Sequence, residues 1–228
     1  MKKFFYTTMV LLSVLAINCT KEPDPDPQKD AALTKKYEIG ELYNVNGVKG
    51  IVFDISDGGL HGLILSLDEY PTTLYDNNTF TMWCTSVMNY IGLKDTVSGL
   101  TNAHFLKYHN IATDSLTVIH WCESRNTRNQ TGWYLPAQKE LQKLEASFQK
   151  DGITVYTLNV VREALTEIVK KGVHKEAVEL RVGNYSYWTS SEIDAEHVWG
   201  VRLSSGKATP RELRKDEPNL LARAVRRF

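Results

Sequence analysis

Hydrophobic and polar positions change their period several times along the chain, and each change marks an element. Residues 48–55 and 61–67 are β-branched and aliphatic runs parted by Asp57-Gly58-Gly59, which predicts a β-hairpin opening a folded domain. Between residues 80 and 91, Phe80, Trp83, Val87, Met88 and Ile91 recur at steps of three and four, the spacing of one buried helical face. Asp114 or Ser115 can cap a short helix carrying Leu116, Ile119 and Cys122, and Pro136 suits the first turn of another bearing Leu141, Leu144 and Phe148. Asn159 is placed to cap a further helix with Val161, Leu165 and Ile168 inward and Gly172 as its stop. Strand alternation returns at residues 185–190 and 197–203, with a turn at Ser204-Ser205-Gly206 and a last strand at 222–228. Strands at both ends with helices between them predict an α+β fold, mainly an antiparallel sheet in which the terminal strands meet and several helices pack on it.

The start of the chain reads as an address. Lys2 and Lys3 precede an apolar run at residues 4–15, too short for a spanning helix and right for a secretory signal. The run ends in Leu15-Ala16-Ile17-Asn18-Cys19, which resembles a lipobox and implies lipidation of Cys19; an ordinary secretory signal with a coincidental cysteine is the other reading. Three prolines alternating with acids then form neither helix nor sheet and predict an extended spacer. The expected organisation is a signal peptide at 1–18, a lipidated cysteine with a Pro/Asp-rich tether at 19–36, and one domain at 37–228. Several acyl chains anchor stably, because each buried methylene contributes about 0.8 kcal/mol. The acidic tether resembles those of lipoproteins on the outer face of an outer membrane, which is the expected location.

Composition narrows the partners. The 228 residues are 42% hydrophobic and 24% charged, ordinary for a globular chain. Lys plus Arg and Asp plus Glu are 27 each, so no net positive field would hold a phosphate backbone and nucleic acid is not an expected partner. The expected partners are the membrane, through the anchor, and a glycan or cell-surface protein.

Several motifs then occur in one order: Gly132-Trp133-Tyr134-Leu135-Pro136 with Glu140-Leu141, Tyr187-Trp188-Thr189-Ser190-Ser191-Glu192, Trp199-Gly200-Val201 with Gly206-Lys207, and Arg223-Ala224-Val225-Arg226. Together they resemble the bacterial C-type-lectin-like domain found at the C termini of collagen-like adhesins, related in fold to formylglycine-generating enzymes. The Gly99-Leu100-Thr101-Asn102 stretch and the Trp121-Cys122 pair resemble the version seen in gut-anaerobe outer-membrane lipoproteins. The resemblance covers residues 37–228 and implies a C-type-lectin-like scaffold; fold alone does not imply activity.

The candidate chemistry is sparse. Trp133, Trp188 and Trp199 suit either a small core between sheet and helices or a sugar-stacking platform. Arg223 and Arg226 are either ligand-facing cations or partners in ion pairs within the fold. Cys84 and Cys122 form an even pair once Cys19 is lipidated, leaving open a disulfide or two separate buried thiols on helical faces. Zincin, nucleophile-elbow, P-loop and Cys-x-x-Cys patterns do not occur, and His104 and His109, five apart, do not share a helical face. Glu217-Pro218-Asn219 matches a calcium-lectin triplet but reads as a polar turn. No metal and no cofactor is expected. The expected function is a surface-anchored, non-enzymatic recognition or structural domain. The alternative is an enzyme, a formylglycine-type oxidase built on Cys84 or Cys122 or an unrecognised hydrolase.

Overall fold

The structure, a computed structural model, describes residues 35–71, 82–85, 89–127, 130–218 and 220–228. The signal peptide, Cys19 and nearly all of the tether lie outside the described residues. Among those residues ten strands and four α-helices follow in chain order. The strands are β1 (Leu42–Val45), β2 (Val48–Ser56), β3 (His61–Ser66), β4 (Trp133–Tyr134), β5 (Ser147–Lys150), β6 (Ile153–Tyr156), β7 (Ser186–Glu192), β8 (His197–Ser204), β9 (Lys207–Arg214) and β10 (Val225–Arg227). The helices are α1 (Gly99–Tyr108), α2 (Thr117–Glu123), α3 (Gln138–Gln142) and α4 (Thr157–Lys171). None of the described helices is long and apolar enough to cross a membrane.

The fold is mixed α+β with antiparallel sheets. A five-stranded sheet runs β1-β2-β3-β10-β4, a three-stranded sheet runs β7-β8-β9, and β5 and β6 form a separate ribbon. The first and last strands therefore share a sheet, with Val225 of β10 opposite Leu65 of β3 on one side and Tyr134 of β4 on the other. Three of the hairpins close through two-residue turns, Asn46-Gly47, Asp151-Gly152 and Ser205-Gly206. All six of these residues have positive φ, the geometry of a type I′ turn, which matches the right-handed twist of the strands it joins.

Period-two alternation sorts the strand residues into two cores. Val52, Ile64, Trp133 and Trp188 enter one, with Leu106 of α1 and Ile119 and Cys122 of α2. Their neighbours Ile51, Phe53, Leu63, Leu65, Tyr134 and Tyr187 enter the other, with Leu158, Val161 and Leu165 of α4. Successive side chains on a strand point to opposite faces, so the central sheet is covered on both sides.

Some elements differ from the sequence expectation. No helix occupies residues 82–85 or 89–91; the rest of the expected 80–91 helix lies outside the described residues. The Trp83 and Cys84 amides donate instead to the Lys215 carbonyl (2.8 and 3.4 Å), and the Trp83 side chain enters the core from a non-helical segment. Phe148 sits on β5 rather than on the helix after Pro136, which is only five residues long before a 3-10 turn at Lys143–Glu145. Helix α4 starts at Thr157, before Asn159, and stops as expected at Gly172, which takes a left-handed φ of 63°. Helix α1 was not anticipated: its buried residues are Gly99, Asn102 and Leu106, which leave no apolar stripe to read.

Candidate functional site

Trp133, Trp188 and Arg223 of the motifs are absorbed into the interior. Trp188 is fully buried and Trp133 is 6% exposed. Trp133 is pinned by Asn126, whose Oδ1 accepts from the Trp133 amide and whose Nδ2 donates to its carbonyl, both at 2.8 Å. This side chain thereby stands in for a neighbouring strand along the open edge of β4. Trp199 is half-buried on β8, and its carbonyl accepts from Thr189 Oγ1. Of the three tryptophans only Trp199 retains a partly solvent-facing side chain, so the ring set does not make a joint stacking surface.

Arg223, 1% exposed, is also internal. Its guanidinium donates to Glu69 Oε2 (3.2 Å) and to the carbonyls of Ser66, Leu67, Val178 and Glu179 (2.7 to 3.1 Å). The Tyr187 hydroxyl donates to the same Glu69 oxygen at 2.5 Å, and burial first, then the Glu69 charge, pushes its pKa well up. Arg223 is thus a hub joining β3, β7 and the segment after α4, out of reach of any ligand in this conformation. Arg226, half-buried, donates from Nε to the Thr131 carbonyl (2.6 Å).

Two further carboxylates are spent on backbone. Glu192 Oε2 accepts from the amides of Gly92 (2.7 Å) and Leu93 (2.8 Å), while Lys215 Nζ donates to Glu192 Oε1 (2.6 Å) and to the Asn89 carbonyl (2.8 Å). Glu140 accepts from the amides of Gly99 and Ala137 and from the Tyr134 hydroxyl, capping α3 and tying it to the start of α1. Glu140 borders an open hollow of about 530 Å3 that also meets His61, Lys143 and Arg227. Both of its oxygens nonetheless already accept from these donors, two on Oε2 and one on Oε1.

No disulfide joins Cys84 and Cys122; both keep buried thiols. The structure has two separate buried thiols, but only Cys122 lies on a helical face, that of α2, while Cys84 lies outside any helix. Burial pushes the Cys122 thiol far above the ordinary range, which leaves it without thiolate character. Among the described residues no group of three or more His, Cys, Asp or Glu could hold a metal ion. Glu217 sits in a turn, its amide donating to the Arg214 carbonyl (3.0 Å), and Asn219 lies outside the described residues.

One polar hollow was not foreseen. A cavity of about 380 Å3 lies between the β2–β3 hairpin and the segment linking α2 to β4, lined by Lys49, Asp68, Arg125, Thr127, Gln130 and Glu176, with Trp133 at its wall. Arg125 pairs with Asp68 and lies 3.7 Å over the Trp121 ring, which in turn packs at 5.3 Å against Tyr70. Thr127 and Gln130 exchange backbone hydrogen bonds (3.0 and 3.2 Å), and Gln130 Nε2 donates to the Gly47 carbonyl (3.1 Å). Lys49 stands 3.3 Å from His174 Nδ1 and 3.8 Å from Glu176.

The ordered tryptophan and arginine motifs fall within a match to the model of the Lcl C-terminal domain over residues 72–226. The chain belongs to the Lcl C-terminal domain family. Of the residues lining the polar hollow, Arg125, Thr127, Gln130, Trp133 and Glu176 fall within the matched residues, whereas Lys49 and Ser66 come from the β2–β3 hairpin and Asp68 from the chain just after it. The fold is similar to that of a fimbrial protein from Bacteroides ovatus, with a TM-score of 0.55 and 15% identity over 84% of this chain and 49% of that one. The chain thus spans about half the length of that protein, and the likeness is one of fold. No curated protein matches the chain at the level of sequence.

Proposed function

We propose that this protein is a surface-anchored lipoprotein whose Lcl C-terminal domain serves a structural or adhesive role without catalysing a reaction, on a rigid C-type-lectin-like scaffold. The observation that carries the reading is the use made of the motif residues: Trp133, Trp188, Arg223, Glu140 and Glu192 are all consumed in holding sheets, helices and loops together. Family membership and the likeness to a fimbrial protein point the same way. Against the oxidase reading stands the burial of Cys84 and Cys122, since a reactive cysteine needs exposure and a lowered pKa. The anchor is Cys19, the location the outer face of the outer membrane, and the partner a glycan or envelope protein met by exposed loops.

The reading is tested in cells fed a labelled fatty acid, comparing wild type with Cys19→Ala, followed by protease treatment of intact cells. Label on the wild type alone, and digestion of the domain without lysis, are expected. An unlabelled wild-type chain, or one shielded from protease until lysis, would sink the proposal.

A further inference from the structure

We infer that the hollow between the β5–β6 ribbon and the end of β2 seats on the surface of a zwitterionic phospholipid bilayer, so that the domain lies against the membrane with this end down; this rests on the lipid anchor proposed above and gives the anchored domain an orientation. The hollow, of about 510 Å3, is lined by residues 38–39, 53–55, 143, 146–151 and 157, each within a stretch described throughout. Its large apolar groups are Ile39, Phe53, Ile55 and Phe148. Phe148 stands opposite Val155 and Lys150 opposite Ile153, which places these four side chains on one face of the ribbon. Ile55 and Ile153 are 41% and 66% exposed, and neither they nor Phe148 and Val155 pack into either core. A two-stranded ribbon is marginal in water by itself, and this one turns its apolar face toward the hollow rather than into the interior.

The tether and the rim charges both select a bilayer as the partner. The Tyr37 amide donates to the Gly59 carbonyl (2.9 Å), so the chain enters the domain beside the hairpin tip, and Glu38 and Ile39 already line the hollow. Residues 20–34, which join Cys19 to Lys35, can span at most about 50 Å. A lipid on Cys19 therefore holds the bilayer at high effective concentration next to this end of the domain. Around the hollow, Asp54 is paired with Lys143, whereas Glu38, Lys150 and Asp151 have no ion-pair partner among the described residues. Uncompensated charges of both signs around an apolar floor complement a zwitterionic headgroup. Lys150 meets its phosphate, Glu38 and Asp151 meet its amine, and Ile55 and Ile153 enter the boundary with the acyl chains. The two acids oppose a purely anionic surface.

Because Cys84 and Cys122 are buried thiols, a cysteine placed on the surface takes a fluorescent label alone. The label is put on Ile153→Cys and, as a reference, on Val173→Cys, a 73% exposed position past the end of α4, which starts at the hollow and runs about 20 Å away from it. The lipidated full-length chain is reconstituted in vesicles of phosphatidylethanolamine and phosphatidylcholine that carry a quencher on a fraction of the lipids. Strong quenching at 153 and little at 173 is expected. Ile55→Ser should shift the docked-to-free ratio about tenfold toward free, as keeping one isoleucine in water predicts, and Lys150→Glu should shift it the same way. The inference is overturned if both positions quench alike, if quenching at 153 ignores both variants, or if it appears only when anionic lipid is added. Should the fatty-acid and protease results hold while the two labels quench alike, the anchored surface role stands and this orientation falls; a wild type that takes no fatty acid removes both.

Discussion

Lys215 Nζ lies 2.6 Å from Glu192 Oε1 with both side chains fully buried, joining the end of β7 to the residue that follows β9. The Trp83 ring stands 5.1 Å from the ammonium. Removing one partner leaves the other charge without compensation in the interior, which costs about 3–5 kcal/mol. Lys215→Met and Glu192→Gln should each lower the free energy of unfolding by that amount, and the double variant by less than their sum. Urea denaturation of all four proteins checks this; strict additivity would mean the two groups do not act as a pair.

Arg223 presents a planar fork to one carboxylate oxygen and four carbonyls. A lysine there keeps the charge but cannot reach these acceptors together. Arg223→Lys should therefore be nearly as damaging as Arg223→Met, each lowering the melting temperature by about 10 °C, corresponding to a loss of roughly 3 kcal/mol. A lysine variant that melts with the wild type would show that charge alone is needed.

Glu140 links stability to pH. Burial pushes its carboxyl above the usual range, opposed by the amides of Ala137 and Gly99 that favour the charged form. The folded chain then holds the proton more tightly than the unfolded chain. Stability contributed by this group is present below the unfolded pKa and is lost as the pH rises through the folded one. Wild type should accordingly gain stability over Glu140→Gln as the pH falls from neutral toward the unfolded glutamate range. Unfolding curves for both proteins at neutral and mildly acid pH give the sign, and an unchanged difference would contradict the raised carboxyl.

Cys122 should be inert in the folded protein. Its thiol is fully buried and pushed far up chiefly by desolvation, with the Arg125 charge acting the other way. A disulfide-exchange reagent should label Cys84 and Cys122 only after denaturant is added, each then reacting as an ordinary thiol. Rapid labelling of either in the native protein would restore the case for a cysteine-dependent reaction.

The β2–β3 hairpin, β7, β8 and the end of α4 were legible because each combines a clear period with a turn or stop residue. The Asn46-Gly47 and Asp151-Gly152 pairs carried equally plain signals for β1 and for the β5–β6 ribbon, but the apolar spacing through Phe148 drew that segment toward a helix. Helix α1 was illegible because Gly99 packs against the backbone of Leu135–Ala137 and Asn102 bonds to Ser190, so its buried face is not apolar. The polar hollow could not be read at all: Lys49, Asp68, Arg125, Gln130 and Glu176 are scattered over the chain, and pairing of the hairpin with β10, itself paired with β4, brings the first four together, while the Val178 amide bond to the Leu67 carbonyl brings up the segment carrying Glu176.

Gly62 and Phe228 exchange backbone hydrogen bonds, and the rings of Tyr37, Tyr43 and Phe228 pack within 5.1 to 5.3 Å of one another. Tension applied between residue 37 and residue 228 would consequently meet at this aromatic clasp. The pull would open one corner of the central sheet first and leave the β7–β9 sheet unloaded until that corner had yielded.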